Sequence, residues 1–279
     1  MKKAKKVKLI SRLLSEGWFE TEKEAAAWAM ARKILVDDQP IISINEPISP
    51  LSNIRIKEYY KTRYVNKGGL KLEGALLDFS VNVSNLVCLD CGASTGGFTD
   101  CLLTHGASKV YAVDVGYGQI AGKLQNDPRV INMERTNLSD PILCNLSPAP
   151  QLITLDLSYL SLKTAIPLCQ NILEKSGEII ALVKPLFEVA SPEIRQTGII
   201  DNPNIYVDVL EDLYYFVSQI SFNVCGITYS HVRGNSNTLE YFMHISSDNS
   251  TLPLHLSTNL TTHINDVVNR SLELDWFKK

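Results

Sequence analysis

Apolar residues follow two regimes along the chain. In the first fifty or so residues they recur at helical spacing, as in Leu9, Leu13 and Leu14. From residue 86 onward they gather in short β-branched runs separated by longer amphipathic stretches. Strands are predicted near 86–91, 109–114, 130–133, 152–157 and 178–184, with helical stretches such as Leu162 to Leu173 between them. Strand and helix in alternation imply a parallel sheet with helices on both faces, an α/β fold. A helix of about 204–218 then leads to FNVCGITYS and LEYFMHI, joined by the polar loop HVRGNSNT. Two strands joined without a helix predict an antiparallel hairpin at the sheet edge. The tail from Ser247 reads as a loop and one helix whose Ile264, Val268, Leu272 and Trp276 pack on the body.

The first 57 residues read as a separate small α+β module. A helix from Lys8 is closed by Gly17. Thr21 with Glu24 three residues on forms a capping box opening a second helix through Ala25, Trp28, Ala29 and Arg32. KILVDDQPI is strand, turn, strand. A linker over 58–66 follows, then the large domain over 67–246 and the tail over 247–279. In YVNKGGLKLEGALLDF, Gly68 and Gly69 break the chain before a helix expected to begin near Leu70.

Charge sharpens this division. The formal net charge is -3, yet residues 1–66 hold thirteen Lys and Arg against eight Asp and Glu, so the remainder is acidic. A basic N-terminal piece on an acidic body fits a polyanionic partner. No apolar run approaches the roughly 18 residues of a transmembrane helix, and the start lacks a signal-peptide core, so a cytoplasmic location is expected. The six cysteines are dispersed in apolar runs, as buried free thiols would be. Cys88 and Cys91 have CxxC spacing, but lie in a predicted strand where their side chains diverge, and no second cluster completes a metal site.

The chemistry concentrates at strand ends. VCLDCGASTGGFTD is strand, glycine loop, helix, and a second strand ends two dozen residues later in Asp114. That is where nucleotide-binding α/β folds offer a carboxylate to ribose hydroxyls. The loop is not GxGxxG. It suits S-adenosylmethionine, which has ribose hydroxyls and an amino acid moiety but no pyrophosphate. Asp156 ends LITLDL and Lys184 ends EIIALVK, and an acid and an amine emerging together from buried strands point to catalysis.

Five segments, YVNKGGLKLEGAL, LDCGASTGGFTDCLL, AVDVGYGQIAGKLQNDPRVINMERTN, LDLSYLSL and LVKPLFEV, with the later NTLEYF, resemble the TlyA or hemolysin A family. Its members are similar to FtsJ-type RNA 2′-O-methyltransferases carrying an N-terminal ribosomal-protein S-four-type RNA-binding domain. The resemblance implies a Rossmann-like methyltransferase sheet, S-adenosylmethionine as cofactor, and ribosomal RNA or ribosomal subunits as partner, commonly methylated on a cytidine 2′-oxygen. It implies a catalytic tetrad of Lys71, Asp156, Lys184 and Glu240, with Lys184 assisting the ribose hydroxyl, the acids tuning it, and Lys71 holding the ribose or a phosphate. Asp90, Gly92, Ser94, Gly96, Gly97 and Phe98 are expected around the methionine end of the cofactor, Asp114 at its ribose, and Glu134 or Asn137 near its adenine. No metal is required.

The resemblance of the N-terminal module sets Lys8, Arg12, Arg32 and Lys33 within reach of RNA phosphates; in the linker KEYYKTRYVN, Lys61 and Arg63 interleaved with tyrosines fit an RNA contact and an ordinary domain junction equally, and Lys67 beside Lys71 is expected to bear on RNA grip. The N-terminal module departs from its family at Thr21 and Glu22, where Ser-Arg is usual, at Arg32, where Gly is usual, and at Asp37-Asp38, where Asn-Gly is usual. Lys67 and Leu70 replace the usual Arg and His beside Lys71. A second reading, a ribosome-associated binding protein without turnover, is motivated by that divergence and opposed by the intact tetrad. The membrane activity in the hemolysin name finds neither a spanning segment nor a strongly basic amphipathic helix.

Overall fold

The computed structural model describes residues 6–16, 18–19, 21–56, 63–158, 160–234, 237–248, 254 and 259–274. The chain divides into two compact units, one up to Lys61 and the other spanning Thr62–Trp276.

The first unit contains β1 (Val7–Lys8), α1 (Leu9–Ser15), α2 (Glu22–Met30), β2 (Ile34–Val36), β3 (Gln39–Ile41), β4 (Pro47–Ile48) and β5 (Ile54–Ile56). Leu9 and Leu13 on α1 and Ala25 and Ala29 on α2 are fully buried, with Ile34 of β2 beneath them. The predicted hairpin is β2–β3, and β5 adds a third strand on its other side. The helix ends fall short of expectation, α1 at Ser15 and α2 at Met30. Gly17 and the side chain of Glu24, on which the helix stop and capping box rest, lie outside the described residues. Arg32, Asp37 and Asp38 all have positive φ, at 55°, 49° and 64°. A tight hairpin needs that conformation at both central residues, which is why glycine and asparagine are favoured there.

The second unit is built on a seven-stranded sheet. In chain order its elements are α3 (Lys67–Asp78), β6 (Val87–Cys91), α4 (Gly97–Thr104), β7 (Lys109–Asp114), α5 (Gly122–Gln125), β8 (Val130–Glu134), β9 (Leu152–Leu155), α6 (Leu162–Cys169), β10 (Glu178–Val183), α7 (Pro185–Glu188), α8 (Pro192–Thr197), α9 (Asn204–Ser218), β11 (Asn223–Tyr229), β12 (Tyr241–Ser246) and α10 (Leu260–Leu272). The strand order is β11-β12-β10-β9-β6-β7-β8. The five strands from β6 to β10 run parallel, and β12 is antiparallel to both β10 and β11. From β6 the chain winds outward to β7 and β8, then returns to place β9 on the other side. The crevice between β6 and β9 is therefore the switch point where open α/β sheets bind ligands.

Strand side chains alternate between two cores. Leu89, Ile153, Ala181 and Met243 face one, with Leu210 and Leu213 of α9 and Ile264 and Val268 of α10. Cys88, Leu152, Ile180 and Phe242 face the other, against Leu72 and Leu76 of α3 and Leu102 of α4. The tail helix α10 thus belongs to the body of this unit; Leu272, expected to pack with Ile264 and Val268, is instead exposed, and Trp276 lies outside the described residues. The same alternation puts Cys91 and Cys88 in opposite cores, so the CxxC spacing does not bring the thiols together. Burial pushes Cys88 up to about 12 and Cys91 well above its ordinary value.

Several boundaries shift for local reasons. Helix α3 begins at Lys67, not Leu70, because the Asn66 side chain accepts the Gly68 N–H and caps it. Helix α6 stops at Cys169 instead of Leu173, shortly after Pro167, whose ring leaves no N–H for the helix. Strand β9 ends at Leu155 and β10 at Val183, so Asp156 and Lys184 lie just past the pairing.

Candidate active site

The carboxyl ends of β6, β7, β9 and β10 frame one site. Gly92 follows β6 with φ of 86°, a region few other residues adopt, and a Cβ there would collide with the backbone carbonyl of Asp156. That close approach brings the glycine loop and the Asp156 loop together across the switch point. A Cβ on Gly97 would overlap the Asn66 side chain, which also donates from Nδ2 to the Thr95 hydroxyl at 2.6 Å. Asp100 accepts the Val65 N–H at 2.8 Å and pairs with Lys123 at 2.8 Å. Asn66 and Asp100 thereby fix the entry to α3, and with it Lys71, against the glycine loop. Sequence reasoning missed both, because the partners that matter, Thr95 and Val65, lie about thirty residues away along the chain.

The predicted tetrad forms two ion pairs. Lys71 Nζ from α3 donates to Glu240 Oε2, with both side chains over nine-tenths buried. A Cβ on Gly234 would overlap the other oxygen of Glu240, so the loop before β12 closes over this pair. Lys184 Nζ lies 2.6 Å from Asp156 Oδ1 and donates to the Ser158 hydroxyl at 2.9 Å. This second pair is the accessible one, at 15% and 25% side-chain exposure. The β10–β12 register pairs Val183 with Tyr241, which sets Lys184 and Glu240 at the same end of neighbouring strands. Lys71, expected to hold ribose or phosphate, instead faces Glu240 in the interior.

The cofactor candidates separate into those facing the crevice and those beneath it. Ser94 is exposed in the loop, with its N–H bonded to Asp114 Oδ2 at 2.8 Å. Gly116 N–H bonds Asp114 Oδ1 at 2.7 Å. Each oxygen of this half-buried carboxylate retains a lone pair. Glu134 is the register partner of Asp114 on β8, and its Oε1 is buried with no hydrogen-bond partner. Backbone N–H groups of the turn after β7, Gly118 first, face Glu134 and hold its carboxyl below the usual range. Gly96 closes the loop in the left-handed region and packs against Leu124. Asn137 Oδ1 is engaged by the N–H and hydroxyl of Ser139.

Two expectations are corrected. The Phe98 ring does not line the crevice; it is buried and packs 6.1 Å from the Phe242 ring, leaving only its backbone at the loop. Asp90 is fully buried, and its oxygens accept hydroxyls of Thr99 at 2.7 Å and Thr154 at 3.0 Å. Its place in the strand alternation turns it beneath the loop instead of toward a ligand.

Of the candidate RNA contacts, Lys8 and Arg32 are exposed, and Lys33 Nζ sits 5.3 Å from the Trp28 ring centre. Arg12 is bound to Glu16 and donates to the Ser52 carbonyl at 2.7 Å. Arg63 pairs with Glu73 and stacks 5.2 Å from the Tyr64 ring centre. Lys67 donates to the Arg233 carbonyl at 3.4 Å. Lys61 lies outside the described residues.

Comparison with known families matches residues 64–247 to the FtsJ-like methyltransferase model. The chain belongs to the FtsJ-like methyltransferase family. It is 32% identical over 240 residues to the 16S/23S rRNA (cytidine-2′-O)-methyltransferase TlyA of Mycobacterium tuberculosis, covering 86% of this chain and 90% of that one. It is 35% identical over 232 residues to Hemolysin A of Brachyspira hyodysenteriae, covering 82% and 95%. A solved structure from Streptococcus thermophilus described as a hemolysin shares 34% identity over 96% of both chains, with a TM-score of 0.72. No helix among the described residues of this methyltransferase is long and apolar enough to cross a membrane.

The buried Asp90 gives the methyltransferase unit a pH signature. Burial raises its carboxyl to about 6. The unfolded value is near ~3.9, so the folded protein holds the extra proton, and stability is lost as pH rises through the interval between the two values. The difference corresponds to on the order of 3 kcal/mol. Asp90→Asn is expected to flatten the dependence of urea-unfolding free energy on pH across that interval. Identical slopes for both proteins would refute the assignment.

Proposed function

We propose that this methyltransferase transfers the methyl group of S-adenosylmethionine to a ribose 2′-hydroxyl of ribosomal RNA, on a cytidine, as the name of its M. tuberculosis relative states for that protein. The observation that carries the reading is the accessible Lys184–Asp156 pair at the switch point, 2.6 Å apart and directly beside the glycine loop. The residues present fit the cofactor. The half-buried carboxylate of Asp114 offers acceptors for a ribose diol, and the Ser94 and Thr95 side of the loop is open. When bound, S-adenosylmethionine supplies a methyl group on positively charged sulfur, already activated for transfer.

The chain's own residues supply position and charge. Lys184 Nζ, held by Asp156 Oδ1 and Ser158 Oγ, faces the 2′-oxygen and stabilises the negative charge that develops as the hydroxyl proton passes to solvent water and the oxygen takes the methyl group. Asp156 fixes the direction of the amine. The Lys71–Glu240 pair, sealed by Gly234, supports the neighbouring strand end from below. Holding hydroxyl and methyl in line converts an encounter of two molecules into a step within one complex. The unit up to Lys61 serves as an RNA-holding module through exposed cations such as Lys8 and Arg32.

The purified protein, incubated with methyl-labelled S-adenosylmethionine and unmethylated ribosomal subunits, is expected to place label on ribose 2′-oxygens, mapped by resistance of the adjacent phosphodiester to alkali. Cofactor and RNA binding without methyl incorporation would instead identify a non-catalytic binding protein.

A further inference from the structure

Immediately after Lys184 the chain makes one short helical turn, Pro185–Glu188, whose Phe187 is 45% exposed. An isolated exposed phenylalanine is unremarkable on most surfaces. This one is distinguished by its position and by the bracing of the turn that carries it. Its ring centre lies 5.9 Å from Lys184 Nζ, so it borders the accessible ion pair. The next residue, Glu188, reaches across to the loop that follows Asp156, accepting the Ser161 hydroxyl at 2.6 Å and the Leu162 N–H at 2.8 Å. The turn is closed internally by Phe187 N–H to the Lys184 carbonyl at 2.9 Å and Val189 N–H to the Pro185 carbonyl at 2.8 Å. Arg195 donates to the Val189 carbonyl at 2.7 Å and anchors its far end. An aromatic side chain is therefore carried on a braced backbone, partly in solvent, 5.9 Å from the amine assigned to the reacting hydroxyl.

We infer that Phe187 is a stacking platform for a nucleobase of the RNA strand at the methylation site, with Glu188 as the positioning residue that holds the platform beside Lys184. The inference rests on the proposed RNA substrate. A ribose presented to Lys184 brings its own or an adjoining base within reach of a ring at this distance. An aromatic side chain stacks any base through its π-face, and truncation of such a contact weakens single-strand binding by roughly 10- to 100-fold. The braced turn spares the binding step the cost of ordering the backbone that carries the ring, which favours binding.

The test uses the full-length protein and a single-stranded RNA carrying 2-aminopurine, whose fluorescence is quenched on stacking. Phe187→Ala and Phe187→Leu are expected to weaken RNA affinity by roughly 10-fold or more and to remove the quench, while Phe187→Tyr retains both. Affinity for S-adenosylmethionine is expected to stay within about twofold of the parent, because the contacts of the ring lie on the Lys184 side. Glu188→Ala is expected to reproduce the loss of quench, with Glu188→Gln giving partial recovery through the Leu162 N–H. Equal RNA binding by Phe187→Ala and the parent would overturn the platform. So would full function in Phe187→Leu, which would mark a purely apolar contact, or a matching loss of cofactor affinity. Because binding and quench need no turnover, failure of the platform is separable from failure of the methylation reading, which would show as a parent protein that binds RNA without incorporating methyl.

Discussion

Lys184→Met is expected to reduce methyl transfer by about 10²- to 10⁴-fold while S-adenosylmethionine binds within about twofold of the parent. Methionine keeps an unbranched shape and most of the volume of the side chain, so the change removes the ammonium with little disturbance of packing. Three observations make this the most sensitive position. The amine is fixed by two partners, Asp156 at 2.6 Å and Ser158 at 2.9 Å, and is not a free surface lysine. It is the more exposed of the two tetrad lysines, at 15% against 7%, so it is the one a substrate reaches. It also stands past the end of β10 and takes no part in the Asp114 contacts to Ser94 and Gly116, so its loss leaves those contacts in place. Asp156→Asn should fall between the two, because it keeps a side chain of the same shape beside Lys184 but removes the charge that directs it. Single-turnover methyl transfer, with cofactor binding measured separately by calorimetry, separates these cases. Near-parental single-turnover rates in Lys184→Met would remove Lys184 from the chemistry.

The glycine loop and the acid at the end of β7 were legible from sequence because each depends on local pattern: a β-branched run, a break, an amphipathic run. The same pattern located Asp156 and Lys184 at strand ends, since period and length alone place such residues. Lys71 and Glu240 were reachable only through family resemblance, as no spacing rule connects a helix preceding the first sheet strand to the entry of the last. Asp90 and Phe98 show the opposite difficulty. Both sit inside the loop motif, yet the two-residue alternation of β6 and the first turn of α4 point their side chains into the core, a distinction that needs the opposing face to be known. Asn66, Asp100 and Glu188 were invisible for a related reason. Each acts by bonding a segment distant in sequence, and an ordinary Asn, Asp or Glu carries no local mark of that partner.

The Lys71–Glu240 pair is expected to carry the largest effect on stability. Removing one partner by Lys71→Ala leaves a carboxylate with 6% exposure and no counter-charge, and a loss of roughly 3–5 kcal/mol follows from stranding such a charge. Glu240→Ala strands the ammonium in the same way. The double change Lys71→Met with Glu240→Leu replaces the pair by apolar groups of similar volume, and it is expected to recover most of the stability lost by either single change. Methyl transfer should not recover with it, because Glu240 borders Lys184 across the β10–β12 pairing and its charge is part of the site. A double-mutant cycle on urea unfolding, built from the parent, Lys71→Met, Glu240→Leu and their combination and run beside activity measurements on the same four proteins, gives the coupling directly. Additive single effects would mean that the two side chains do not depend on one another, and recovery of activity in the double variant would reduce the pair to scaffolding. The expected outcome, restored folding without restored turnover, distinguishes an ion pair kept for the reaction from one kept for the fold.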